Sequence, residues 1–152
     1  MSNAGGFRAL RRIQKELEKF QMEASSDGLN VEVVSDFIWH VSFVGAPSTI
    51  YEGEAYTLRI RFTDDYPMDS PEVVFLTPSP IHPHIYSNGH ICLNILADDW
   101  SPALTARSVV LSILSMMSSA TEKILPADNE RYTRTTNRNP KQTKFVYHDD
   151  TV

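Results

Sequence analysis

At 152 residues, 41% hydrophobic and 22% charged, the chain has the length and composition of one globular domain with enough apolar material for a core, which excludes a disordered, collagen-like or coiled-coil protein. Its longest run without Asp, Glu, Lys or Arg, Val73 to Ala97, is interrupted by prolines, histidines and asparagines, so no segment offers the unbroken apolar stretch that spans a bilayer. Fourteen Lys and Arg against nineteen Asp and Glu leave a net charge of -5, which argues against a dedicated nucleic-acid or anionic-membrane binder and confines any basic surface to a local patch.

From Phe7 to Met22, Leu10, Ile13, Leu17 and Phe20 recur at spacings of three and four while Arg11, Arg12, Lys15, Glu16, Glu18 and Lys19 take the other faces, which predicts an amphipathic helix. Ser25-Ser26-Asp27-Gly28 reads as its break, and the β-branched run Val31 to Val34 as a first strand. Phe37, Trp39, Val41 and Phe43, then Tyr56, Leu58, Ile60 and Phe62, alternate with other residues as half-buried strands do, with Gly45 to Thr49 of turn composition between them. Glu72 to Leu76 is a fourth short run between prolines, and the economical assembly is a four-stranded antiparallel meander.

Six of the nine prolines fall between Pro67 and Pro102, and Thr77 to Pro102 shows neither period. It is too rich in Ile, Leu, Tyr and Trp for disorder and reads as an ordered, irregular segment laid against the domain. Val109, Val110, Ile113, Leu114, Met116 and Met117 predict a mostly buried helix over Thr105 to Ser118. Asp128 is placed to cap a short polar helix through Arg134, with Asn139-Pro140 closing it. The expected fold class is therefore α+β: an N-terminal helix, the meander, the irregular loop, then central and C-terminal helices.

Cys92 is the only cysteine, so no internal disulfide is available, and Met1-Ser2-Asn3-Ala4 leads into a charged amphipathic segment instead of an apolar leader; cytoplasm or nucleus is the expected compartment. A lone intracellular cysteine is commonly a small buried hydrophobe. Cys92, however, is expected in an ordered, solvent-facing loop after the sharp Asn88-Gly89 turn, with His82, His84 and His90 close upstream. A free thiol has a pKa of about 8.5, so even an unassisted cysteine is a competent acyl acceptor near neutrality. The same four side chains suit zinc, but the spacing H-x-H-x5-H-x-C matches no standard zinc module and no metal is expected. A cysteine-protease reading needs a convergence of side chains that spacing does not display.

Tyr66-Pro67-Met68-Asp69-Ser70-Pro71, His82-Pro83-His84, Asn88-Gly89-His90-Ile91-Cys92-Leu93 and Trp100-Ser101-Pro102-Ala103-Leu104-Thr105, in that order, resemble the catalytic domain of ubiquitin-conjugating enzymes. With the opening Arg12-Ile13-Gln14-Lys15-Glu16-Leu17, Trp39, Gly45 and Tyr51-Glu52-Gly53, the resemblance covers residues 7–135 and leaves 136–152 as a C-terminal tail read as mobile. The His-Pro-His triplet, Pro126 to Asn129 and the ending Tyr147-His148-Asp149-Asp150 look like the W-type subgroup, which transfers ubiquitin to protein N-termini.

The resemblance implies that Cys92 takes ubiquitin as a thioester from the activating enzyme and yields it to an amine. It implies no bound cofactor, since ATP is used by the activating enzyme and not by this protein. His82 and Pro83 match residues that hold the active-site loop. His84 stands where the family usually has an Asn implicated in stabilising the oxyanion, a role worth about 3–4 kcal/mol where such a donor is lost elsewhere; an imidazole can supply one such hydrogen bond. Asn94 stands where Asp is frequent. The acidic residue that lysine-directed members carry after the central helix falls by simple offset on Ile124, leaving Glu122 or Asp128 as acidic assistance if the alignment slides. Arg12, Lys15, Met68, Pro102 and Ala103 match the docking surface for the activating enzyme and RING or U-box ligases. Near neutrality the free amine is on the order of a few hundredfold more abundant for an N-terminus than for lysine, so weak lysine activation favours substrates with accessible N-termini. Three alternatives stay open: a lysine-directed conjugating enzyme, a noncatalytic module binding ubiquitin or ligases, and a zinc-binding module.

Overall fold

The computed structural model describes residues 4–136. Helix α1 (Ala4–Asp27) outruns the Phe7–Met22 stretch that its apolar stripe predicts. The reason lies far along the chain: Asp27 accepts from Arg107 Nε at 2.8 Å and Nη2 at 3.1 Å, and Glu23, one turn earlier, also pairs with Arg107 at 2.9 Å. Two carboxylates four apart on one guanidinium carry the helix through Ser25-Ser26, and it stops at Gly28, whose φ of 73° suits the left-handed residue after a helix.

Strands β1 (Leu29–Ser35), β2 (Ile38–Val44), β3 (Ala55–Arg61) and β4 (Glu72–Phe75) form one antiparallel sheet in the order β1-β2-β3-β4, the expected meander. Trp39, Val41 and Phe43 of β2, Leu58 and Ile60 of β3, and Val73 and Phe75 of β4 point to one face and are buried, as a period of two requires. They share a core with Ala9, Ile13 and Phe20 of α1 and with Val109, Val110, Ile113 and Met117 of α2 (Ala106–Ser118). Trp39 is its centre, meeting Phe20 and Phe62 edge to face with ring centroids 5.7 and 4.8 Å apart. Each fully buried Val, Leu, Ile or Phe side chain contributes about 1.5–3 kcal/mol.

Thr105 starts α2 as a reciprocal cap, its hydroxyl accepting from the Ser108 amide at 3.1 Å while the Thr105 amide donates to Ser108 Oγ at 3.0 Å. Thr105→Ala is expected to cost about 1 kcal/mol in a denaturation experiment, since the Ser108 amide loses its partner. Helix α3 (Asn129–Thr135) follows Asp128 as expected, but Asp128 makes no side-chain cap. Its carboxylate is drawn into the site described next, a correction to its reading as a helix cap. The expected close at Asn139-Pro140, and the tail beyond Thr136, lie outside the described residues.

Candidate active site

The aperiodic stretch from Thr77 to Pro102 is held by short antiparallel ties too brief to leave a pattern. His84 and Cys92 face each other, the Cys92 amide donating to the His84 carbonyl at 2.8 Å; Ile85 bridges Ile91, and the Tyr86 amide donates to the His90 carbonyl at 2.9 Å. Ser87-Asn88-Gly89 turns this hairpin, with Gly89 at φ 89° and Asn88 Oδ1 accepting from the His90 amide at 3.2 Å. A Phe75 amide to Gly89 carbonyl bond of 2.9 Å fixes the turn to β4. Asn129, at the start of α3, grips it from the other side, accepting from the Ser87 amide at 2.9 Å and donating to Ser87 Oγ at 3.1 Å. Cys92 thus sits on a hairpin clamped between sheet and helix.

The thiol is not solvent-facing: Cys92 is 5% exposed and forms a small buried cluster with Tyr86 and Tyr132. The two tyrosine rings stack with centroids 3.7 Å apart and planes 12° from parallel, and this pair packs with the cysteine. Tyr132 shares a 2.9 Å hydrogen bond with His90 Nδ1. The Tyr86 hydroxyl lies 3.2 Å from each Asp128 carboxylate oxygen and donates to them. Burial, then the Asp128 charge, push the Tyr86 phenol well above its usual range, so it stays a donor.

His82 is a structural residue. Its Nδ1 accepts the His84 amide at 2.9 Å, so Nε2 carries the proton and faces the Met116 carbonyl at 3.2 Å. Burial holds its pKa down at about 4, so the ring is neutral. With both nitrogens used, His82 braces the loop against α2, and half-buried Pro83 follows it. His84 is buried, its ring centroid 5.6 Å from that of His82, and its backbone is bonded on one side to His82 and on the other to Cys92. Among the described residues no group of three or more His, Cys, Asp or Glu side chains is placed to hold a metal ion.

Asn94 opens a 3-10 turn (Asn94–Leu96) and donates to Asp99 Oδ2 at 2.6 Å, which ties the acidic loop back beside the cysteine segment. Glu122 is exposed in the extended segment between α2 and α3, as is Ile124. Of the two candidate acids, Asp128 therefore reaches the cysteine cluster, through Tyr86.

Arg12 and Pro102 are brought together directly. Arg12 Nη2 donates to the Pro102 and Leu104 carbonyls at 2.9 and 3.1 Å, Nε binds Glu16 at 2.6 Å, and the guanidinium lies 5.8 Å from the Tyr66 ring centre. It is a strap between α1 and the loop, not a solvated charge. Trp100 Nε1 donates to the Pro67 carbonyl at 2.8 Å and so draws the Met68 loop to the same side; Met68 is 73% exposed, and Lys15, Pro102 and Ala103 are exposed too.

Sequence reasoning assigned no functional role to Tyr86 or Tyr132. Tyr86 and Asp128 are 42 positions apart, and no local pattern pairs them.

A family model described as ubiquitin-conjugating enzyme matches residues 12–148. The ubiquitin-conjugating enzyme E2 W of Caenorhabditis elegans is 50% identical over 149 residues, covering 95% of this chain and 97% of that protein. The probable ubiquitin-conjugating enzyme E2 W-A of Danio rerio is 50% identical over 145 residues, 93% of this chain and 96% of that protein. Among solved structures, the ubiquitin-conjugating enzyme E2 UbcA1 from Agrocybe aegerita superposes with a TM-score of 0.83 at 44% identity, covering 88% of this chain and 98% of that one. The hairpin-borne cysteine, the sheet and helices around it and these matches agree: the chain belongs to the ubiquitin-conjugating enzyme (E2) family, alongside its W-type members.

Proposed function

We propose that Cys92 accepts ubiquitin from the activating enzyme as a thioester and passes it to the N-terminal α-amino group of a protein substrate. In the first step the Cys92 thiolate attacks the activating enzyme's thioester, whose cysteine leaves as thiolate. In the second an amine nitrogen attacks the Cys92 thioester carbon, loses its proton and forms an amide as the C–S bond breaks. His84 is an oxyanion donor in this reading, and the exposed surface of Lys15, Met68, Pro102 and Ala103, braced by Arg12, receives the activating enzyme and RING or U-box ligases. The compartment is cytoplasm or nucleus; no helix among the described residues is long and apolar enough to cross a membrane.

The observation that carries the choice of amine is the placement of the two acids. Glu122 lies on the exposed segment between α2 and α3, and Asp128 is engaged by the Tyr86 hydroxyl, which supports a site with weak lysine activation. Lysine, with a pKa of about 10.4, needs such help at neutral pH far more than an α-amine at about 7.8.

The test loads the protein with ubiquitin, activating enzyme and ATP, then offers free lysine or a peptide whose only amine is its N-terminus. A reductant-labile adduct, absent in Cys92→Ala, is expected to empty onto the peptide at least about tenfold faster than onto lysine at pH 7. Equal rates show a general, lysine-competent enzyme. No adduct shows a binding module.

A further inference from the structure

Tyr86 is buried, touches Cys92 and Tyr132, and its hydroxyl meets both oxygens of Asp128 at 3.2 Å. Stacking alone explains an aromatic ring there; a phenylalanine stacks as well. The hydroxyl has a different consequence, because it engages the Asp128 carboxylate beside the cysteine cluster. Asp128 precedes α3, where its side chain would otherwise be free to bond the helix amides, and it does not do so.

We propose that Tyr86 is a positioning residue for acceptor choice: its hydroxyl engages the Asp128 carboxylate at the cysteine cluster, withholds it from the incoming amine and so keeps the Cys92 thioester inactive toward lysine. The inference rests on the α-amino reading above. A carboxylate released beside the thioester attracts a lysine ammonium. That ammonium first loses one proton to solvent; the neutral amine then attacks the thioester carbon, the nitrogen, now acidic, passes its second proton to the carboxylate, and the Cys92 thiolate leaves as the amide closes. A hydrogen bond from Tyr86 to a charged acceptor is strong enough to bias that carboxylate by about tenfold or more.

The test is a gain of activity, which damage to the fold does not produce. Ubiquitin-loaded wild type, Tyr86→Phe, Asp128→Asn and the double variant are each discharged at pH 7 onto free lysine and onto the N-terminal-amine peptide. The ratio of lysine to peptide discharge is expected to rise about tenfold in Tyr86→Phe and to fall back in the double variant. If Tyr86→Phe does not load, Tyr86→Met, an apolar filler without a hydroxyl, is read the same way. A selective wild type whose Tyr86 variants stay equally selective overturns the positioning role and leaves the α-amino reading standing. A gain that survives Asp128→Asn also overturns it. A wild type that already discharges onto lysine as fast as onto the peptide overturns the α-amino reading itself.

Discussion

Gly89→Ala is expected to destabilise the protein by about 3 kcal/mol or more and to abolish loading with ubiquitin. Two effects add. Gly89 holds a φ of 89°, where a Cβ is strained whatever space surrounds it. That Cβ would also lie 2.2 Å from the Phe75 carbonyl oxygen, a backbone atom of β4 that cannot move without disturbing the ladder to β3. The turn would have to lift off the sheet, and the Phe75 amide to Gly89 carbonyl bond would be lost with it. Cys92 lies three residues on in the same hairpin, so the site is damaged together with the fold. Gly28→Ala is the control: its φ is 73°, but nothing lies within 4 Å of the added Cβ, so it is expected to cost only about 1 kcal/mol. Urea denaturation midpoints and the adduct assay separate the two; equal effects would mean that the Phe75 contact carries no weight.

The contrast between these two glycines also shows which parts of the molecule a single sequence displays. The strands were legible because Trp39, Val41 and Phe43 and then Leu58 and Ile60 each follow a period of two over a whole element, and the sheet buries what that period points inward. Helix α2 was legible because Val109, Val110, Ile113 and Met117 recur at helical spacing, with Thr105 marking its start. The end of α1 was not, because Ser25-Ser26-Asp27 is breaker composition and the Arg107 partner that overrides it is 80 positions away. The Cys92 segment has too few ladder bonds on each arm to impose a period, so family resemblance, not periodicity, pointed to Cys92 as the expected nucleophile. Its burial was misread for a related reason. Asn88-Gly89 announces a turn, and turns are usually exposed, but here α3 returns to stack Tyr132 on Tyr86 in one buried cluster with Cys92. Asp128 shows the same limit: its position before a helix predicts a cap, and a tertiary partner outcompetes the local amides.

His82 gives the site an acid sensitivity with a defined sign. Its folded-state pKa is about 4 against an ordinary 6.5, lowered first by burial and then by His84 nearby, although the Met116 carbonyl opposes the shift. Between those values the unfolded chain binds a proton at this position and the folded chain does not, so stability rises with pH across that window. The contribution is fully retained above pH 6.5 and lost as pH falls toward 4, by about 3 kcal/mol in all. Other carboxylates and histidines titrate in the same range, so the reading is a difference between proteins. His82→Asn leaves a cavity and disturbs the bonds to the His84 amide and the Met116 carbonyl, and is expected to cost about 2–4 kcal/mol at pH 7. The deficit should then shrink by about 3 kcal/mol as both proteins are taken to pH 4, because the variant has no imidazole to protonate. Urea unfolding at pH 7, 6, 5 and 4 measures it. A deficit that stays constant with pH would show that His82 is not held neutral, and the bond from the His84 amide to its Nδ1 would then have to be abandoned along with its role in bracing the backbone that bonds Cys92.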